Sequence, residues 1–264
     1  MTRSHAAILS IAVAFAAPAT AQSTTPSAPP AAAPAPAQSP AAAAKARALE
    51  LADLLNGERV TRAQLIKFFQ VTVPEQMRAR PEYRALEAKY PGVIEHVAAR
   101  MQPVVTDLTL KRMPLLLERV AAVYTARFTP AEVEQILAFY RSPTGLWVVA
   151  TVAQGTDLSA VLKTKMNDPS SAIRAEDVTG STRGASFPAL VAGMTPERQR
   201  AIAAFEATSA GRKLPAANAE IAQIAAAFAN EGTADGAQVS KVVIEAIQSY
   251  VAEADARAGR APTT

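Results

Sequence analysis

The chain contains no cysteine, so it has no disulfide to lean on, and lipid attachment through an N-terminal cysteine is excluded. Histidine is nearly absent too. Of two in 264 residues, His5 lies in the N-terminal apolar segment and His96 stands alone beyond it. A multi-histidine metal site, or a Ser/His/Asp relay with spare partners, is therefore not available within one chain. Aromatic residues make up 5% of the sequence, with a single tryptophan, which leaves Ala, Val, Leu and Ile to build any core. Alternating apolar and polar runs joined by turn dipeptides are missing, so the sequence carries no strand signal. It also has no polybasic block and no recognised nucleic-acid motif, which speaks against a nucleic-acid partner.

What is present points to an exported helical protein. Residues 1–21 open with Arg3, run apolar from Ala6 to Ala17 and end on the small residues Ala19-Thr20-Ala21 before Gln22. That is the layout of a cleavable secretory signal, and its apolar run is too short for a lasting span of roughly 30 Å of hydrocarbon. We expect cleavage after Ala21, a periplasmic location and no transmembrane anchor in the mature chain. Residues 22–44 hold six prolines, ten alanines and no charge, a composition that reads as a disordered Pro/Ala-rich spacer. About 220 residues remain for a core. Half of the sequence is apolar, and alanine at this density favours closely packed helices. The net charge of +4 divides into +5 over 45–165, −2 over 166–264 and the charge of Arg3.

A segment then occurs twice. Phe128–Gly145 and Met194–Gly211 align without a gap at an offset of about 66 residues, in the range of helical repeats. Thr129/Thr195, Pro130/Pro196, Ile136/Ile202, Ala138/Ala204, Phe139/Phe205 and Gly145/Gly211 coincide. In the first copy Thr129, Pro130 and Glu132 combine an N-cap hydroxyl, proline at the first helical position and glutamate at the third, the capping box. Ser142-Pro143 starts the next helix by the same chemistry, and Gly145 lets two helices approach at the corner. The second copy carries Arg198 at the glutamate position, Thr208-Ser209 for Ser142-Pro143, and Glu206 where Tyr140 stands. With Pro215 early in its second helix, it reads as the looser copy.

The remainder is read from periodicity and punctuation. A first helix runs over Ala42–Leu55 and stops at Asn56-Gly57, after which Thr61 caps a short one. Pro74, Pro81 and Pro91 mark further starts. From Val93 an apolar face recurs at steps of three and four, with kinks or restarts expected at Pro103 and Pro114. Residues 167–192, rich in Gly, Ser, Thr, Asp and Pro, read as a long loop, and Val239–Val251 lie in a closing helix that ends at Gly259. The expected architecture is all-α, with two related helical-hairpin units in a bundle. Its domains are a first unit in 45–166, the loop at 167–192, and a second unit with the closing helix in 193–259.

The string from Phe128-Thr129-Pro130 through Phe139-Tyr140-Arg141-Ser142-Pro143-Thr144-Gly145 resembles the signature of the bacterial DUF2059 family, exported helical proteins of unknown function. The resemblance is good over Leu115–Ala153, and Met194–Leu214 is a degenerate second match. It implies a periplasmic helical module and offers no catalytic residue. The residues themselves add none. His96 reads as a surface or half-buried helical side chain, Ser142 as a cap, Glu132 and Glu134 as lying on different faces, and Arg141 as a corner ion pair. Lys111, Arg112 and Arg119, with Arg78, Arg80 and Arg84, are candidates for a basic patch, and Trp147 for core packing. No cofactor pattern is present. The leading expectation is a non-catalytic interaction or structural module acting on an envelope protein. The alternatives are a carrier or surface binder of an apolar or anionic lipid and, third, an envelope hydrolase. A deep apolar cavity between the hairpins would favour the carrier, and a flat apolar patch rimmed with charge the interaction module.

Overall fold

The computed structural model describes residues 39–157, 159, 161, 171–231 and 236–259; the signal segment and the spacer as far as residue 38 lie outside them. Every regular element among the described residues is helical. The first is α1 (Pro40–Asn56), capped by Ser39, whose Oγ accepts from the Ala42 N–H at 3.2 Å. Next come α2 (Glu58–Lys67), a π-helical turn (Phe68–Thr72), α3 (Val73–Arg78) and α4 (Pro81–Lys89). α5 (Val93–Arg127) is 35 residues long, about 52 Å at 1.5 Å per residue. The remaining helices are α6 (Pro130–Arg141), α7 (Pro143–Gly155), α8 (Ala175–Ala192), α9 (Pro196–Glu206), α10 (Ser209–Glu231) and α11 (Gly236–Arg257).

α5 is the spine, because each of its halves belongs to a different hydrophobic core. Val93, Ile94, Val97, Ala98 and Val105 pack with the π-helical turn, α3 and α11, through Phe69, Val73, Met77 and Ala246. Leu116, Val120, Ala121, Val123 and Tyr124 pack instead with α1, α6, α7, α8, α9 and α10. The closing helix thus returns to the N-terminal half of α5, where Tyr250 Oη donates to the Pro91 carbonyl at 2.6 Å and Tyr90 Oη to Asp255 at 3.1 Å. The larger core draws from Ala48 to Ala229, so it spans both copies of the repeated segment and does not divide at 167–192.

Several sequence expectations are corrected. Residues 167–192 are not one long loop, since Ala175–Ala192 form α8. Val178 and Leu190 are buried, the Asp177 carboxylate accepts from the Arg174 N–H at 2.9 Å, and Ser181 Oγ donates to the Asp177 carbonyl at 2.7 Å. The small residues that mimic a loop let α8 pass close to α7. A Cβ on Gly155 would stand 2.7 Å from Ser186 Cα, and tertiary packing overrides their poor propensity. Pro103 and Pro114 do not break α5. Each removes a single backbone donor, and buried side chains on both sides of each keep the helix continuous, so no restart occurs. α2 starts at Glu58, three residues before the expected cap, and Thr61 Oγ1 donates to the Asn56 carbonyl at 3.4 Å. The last residues of the spacer region, from Pro40, belong to α1, as their alanines favour.

Candidate functional site

The first corner is built as its residue types dictate. Glu132 N–H donates to Thr129 Oγ1 at 3.3 Å while Thr129 N–H donates to Glu132 Oε2 at 2.9 Å, with Pro130 at the first helical position. α6 ends at Ser142, whose Oγ donates to the Phe139 carbonyl at 2.6 Å and accepts from the Gly145 N–H at 3.1 Å. With Pro143 opening α7, the chain turns through 76°. Gly145 is obligatory there, because a Cβ would lie 2.1 Å from the Phe139 carbonyl oxygen and 2.4 Å from Tyr140 Cα, both backbone atoms.

The second corner makes the same bonds except the reciprocal glutamate bond of the capping box. Thr195 Oγ1 accepts from the Arg198 N–H at 3.3 Å, and Pro196 opens α9. Thr208 Oγ1 donates to the Phe205 carbonyl at 2.7 Å and accepts from the Gly211 N–H at 3.0 Å. A Cβ on Gly211 would lie 2.2 Å from the Phe205 carbonyl oxygen. Threonine before Ser209 thus does what serine does before Pro143.

The two corners meet. Phe139 and Phe205 stack with ring centroids 4.2 Å apart and planes 7° from parallel, and Tyr140 stands edge-on to Phe205 at 6.1 Å. Beside this stack opens a groove of about 330 Å³. Tyr140, Val148 and Leu214 contribute to one side, Leu190 and Val191 of α8 to another, with Ile202 of α9. Its rim is apolar and open to solvent: Phe187 is 52% exposed, Val191 56% and Met194 38%. Its polar lining residues are Gln199 and Glu206, besides Tyr140. Burial, followed by the nearby Glu206 carboxylate, raises the Tyr140 phenol above its ordinary value, so it stays neutral at any physiological pH.

Glu132 does more than cap. Lys213 Nζ reaches its carboxylate at 2.7 Å and Ser209 Oγ donates to it at 2.6 Å, which ties the first corner to α10 of the second. These bonds, the lysine's first, with that of the Thr129 N–H, hold its carboxyl down at about 2. Sequence spacing gave no sign of this tie, since the partners lie on the other copy. Glu134 faces elsewhere and pairs with Arg47 at 2.9 Å; Arg141 pairs with Glu50.

The remaining candidates do not line the groove. His96 is half-buried against Tyr250, ring centroids 5.0 Å apart, and its Nε2 is buried with no hydrogen-bond partner. It lies on the stretch of α5 that serves the smaller core. Trp147 packs on the larger core and under the Arg198 guanidinium, 4.2 Å from its ring. Most of the charge expected in basic patches is paired, Arg84 staying exposed on α4. Lys111 pairs with Asp107 at 2.7 Å, Arg119 with Glu231 at 2.7 Å, Arg78 with Glu95 and Arg80 with Glu82 at 3.6 Å, while Arg112 stacks on Phe228 at 4.0 Å. Carboxylates one or two turns away, or on a neighbouring helix, neutralise what the sequence presents as clustered charge. Among the described residues there is no group of three metal-ligating side chains, and no single helix is long and apolar enough to cross a membrane.

Residues 116–154 match the model of a family described as an uncharacterized protein conserved in bacteria, DUF2059. The match runs from the last third of α5 to the end of α7 and so contains the first corner. No curated protein and no solved structure matches the chain.

Proposed function

We propose that this protein is a non-catalytic interaction module of the bacterial cell envelope, exported to the periplasm, in which two related helical hairpins jointly frame a binding groove. One observation carries the reading: the apolar groove between the corners, with Phe187, Val191 and Met194 exposed along its rim. Exposed large apolar side chains gathered in one place mark a contact site more often than chance exposure does. The N-terminal segment, with its basic start, short apolar run and small-residue ending, supports export. The structural chemistry of both corners supports an internal repeat whose shared residues serve the fold and whose differences serve the groove.

A second reading, a carrier of an apolar lipid, draws on the same groove. Its volume of about 330 Å³ stands at the small end of ligand pockets, and its open rim favours a partner's side chains over an enclosed acyl chain. A photo-crosslinking residue placed at Val191 in cells separates the two. Discrete protein adducts, missing from a matched probe at the exposed Lys111, support the interaction module. Adducts to lipid alone would transfer the groove to a carrier, and no adduct above the Lys111 control would remove the groove from the function.

A further inference from the structure

The groove is mostly apolar, and Glu206 is the one charged residue among its described lining. Glu206, the last residue of α9, lines it, half-buried, and makes no ion pair among the described residues. It occupies the position that tyrosine holds in the first copy, and both Tyr140 and Glu206 line the groove beside the Phe139–Phe205 stack. The C-terminal end of a helix also carries a partial negative charge in its free carbonyls. Arg212 reaches the Ala207 carbonyl just beyond without pairing with Glu206. A half-buried carboxylate at a helix C-terminus, beside exposed apolar side chains, is unfavourable for the free protein and favourable for a cation.

Resting on the reading of the groove as a contact site, we infer that its occupant is an amphipathic helical segment of a partner protein that lays two or three apolar side chains against Phe187, Val191 and Met194 and places a lysine or arginine against Glu206. The described residues present no strand edge for an extended peptide to extend, so the helix-in-groove mode fits. An anionic membrane surface fits less well, because its headgroups would meet the Glu206 carboxylate as like charge. Of the surface arginines that would have drawn such a membrane, Arg78, Arg80 and Arg119 are already paired with carboxylates.

The test uses the mature chain from Gln22 and two labelled model helices of about 18 residues, identical in their Leu and Ala face and differing in one flanking residue, lysine or glutamate. Fluorescence anisotropy reports binding, and far-UV circular dichroism confirms that every variant folds. The lysine helix binds more tightly, by about fivefold or more at low salt, the discrimination of a partly desolvated ion pair. Glu206→Gln abolishes the preference, Glu206→Lys reverses it, and Val191→Glu weakens both helices. Equal binding of the two helices by the parent, or a preference that survives Glu206→Gln, overturns the cationic partner while a Val191 dependence leaves the groove reading intact. Binding of neither helix, together with the absence of crosslinks from Val191, sinks both. If phosphatidylglycerol vesicles sediment the protein in a Val191-dependent way and neither helix binds, the occupant is a membrane surface. A concentration-dependent dimer that Val191→Glu dissolves, with no helix bound, makes it a second copy.

Discussion

Phe139 and Phe205, 66 positions apart and equivalent in the two copies, lie face to face with ring centroids 4.2 Å apart. The residue after each, Tyr140 in one copy and Glu206 in the other, lines the same groove. Duplicated positions thus supply the joint, and the positions at which the copies differ supply the groove's polarity.

Because the rings stack on each other, their losses are coupled. Phe139→Ala and Phe205→Ala should each destabilise the fold, by about 3 kcal/mol for the more buried Phe205. The double variant should lose less than the sum, by about 0.5 to 1.5 kcal/mol. Urea unfolding of the four proteins measures this, and strict additivity would show that the stack contributes nothing of its own.

Glu132 should shape the acid limb of stability. Its folded-state carboxyl is held at about 2, below its ordinary 4.5, so the stabilisation it gives is complete above pH 4.5 and is lost as the pH falls from there towards 2. Glu132→Gln should therefore unfold at lower denaturant than the parent at pH 7, with a gap that closes as the pH drops through that window. A gap of constant size from pH 7 to pH 2.5 would mean that the carboxylate's bonds to Lys213 and Ser209 are not what stabilises the corner.

The corner glycine admits no side chain. Gly145→Ala should cost on the order of 1 to 3 kcal/mol, because the new methyl meets backbone atoms that cannot step aside. Gly180→Ala, on α8 where a Cβ meets nothing within 4 Å, should stabilise by roughly 0.4 to 1 kcal/mol through the unfolded chain. Thermal midpoints that moved the same way for both variants would contradict the contrast.

The two caps should not be equal. Thr129→Ala removes one side of a reciprocal box and should cost about 1 kcal/mol, whereas Thr195 caps the Arg198 N–H with no glutamate at the third position to return a bond, and its loss should cost less. Denaturant midpoints in the reverse order would remove the ranking.

How far the sequence reached follows from the range of the forces involved. Capping residues, the proline at a helix start, the glycine at a corner and the apolar periodicity act within one or two turns, so the all-α fold, both corners and the closing helix were legible. Most of the long loop expected over 167–192, from Ala175 on, is helix, since Gly, Ser and Thr look like a loop locally and only the neighbouring α7 and α10 give them a reason to be helical. Pro103 and Pro114 likewise cost one hydrogen bond each, and whether a helix survives that loss is settled by what packs around it. The basic clusters dissolved for the same reason, because the carboxylates that neutralise Arg78 and Arg119 come from 17 and 112 residues away. The groove belongs wholly to tertiary structure. The sequence determined that Phe139 and Phe205 were equivalent; that they touch, and that Tyr140 and Glu206 then share one cavity with the exposed rim of α8, was decided by how two short-range motifs dock through a common apolar core.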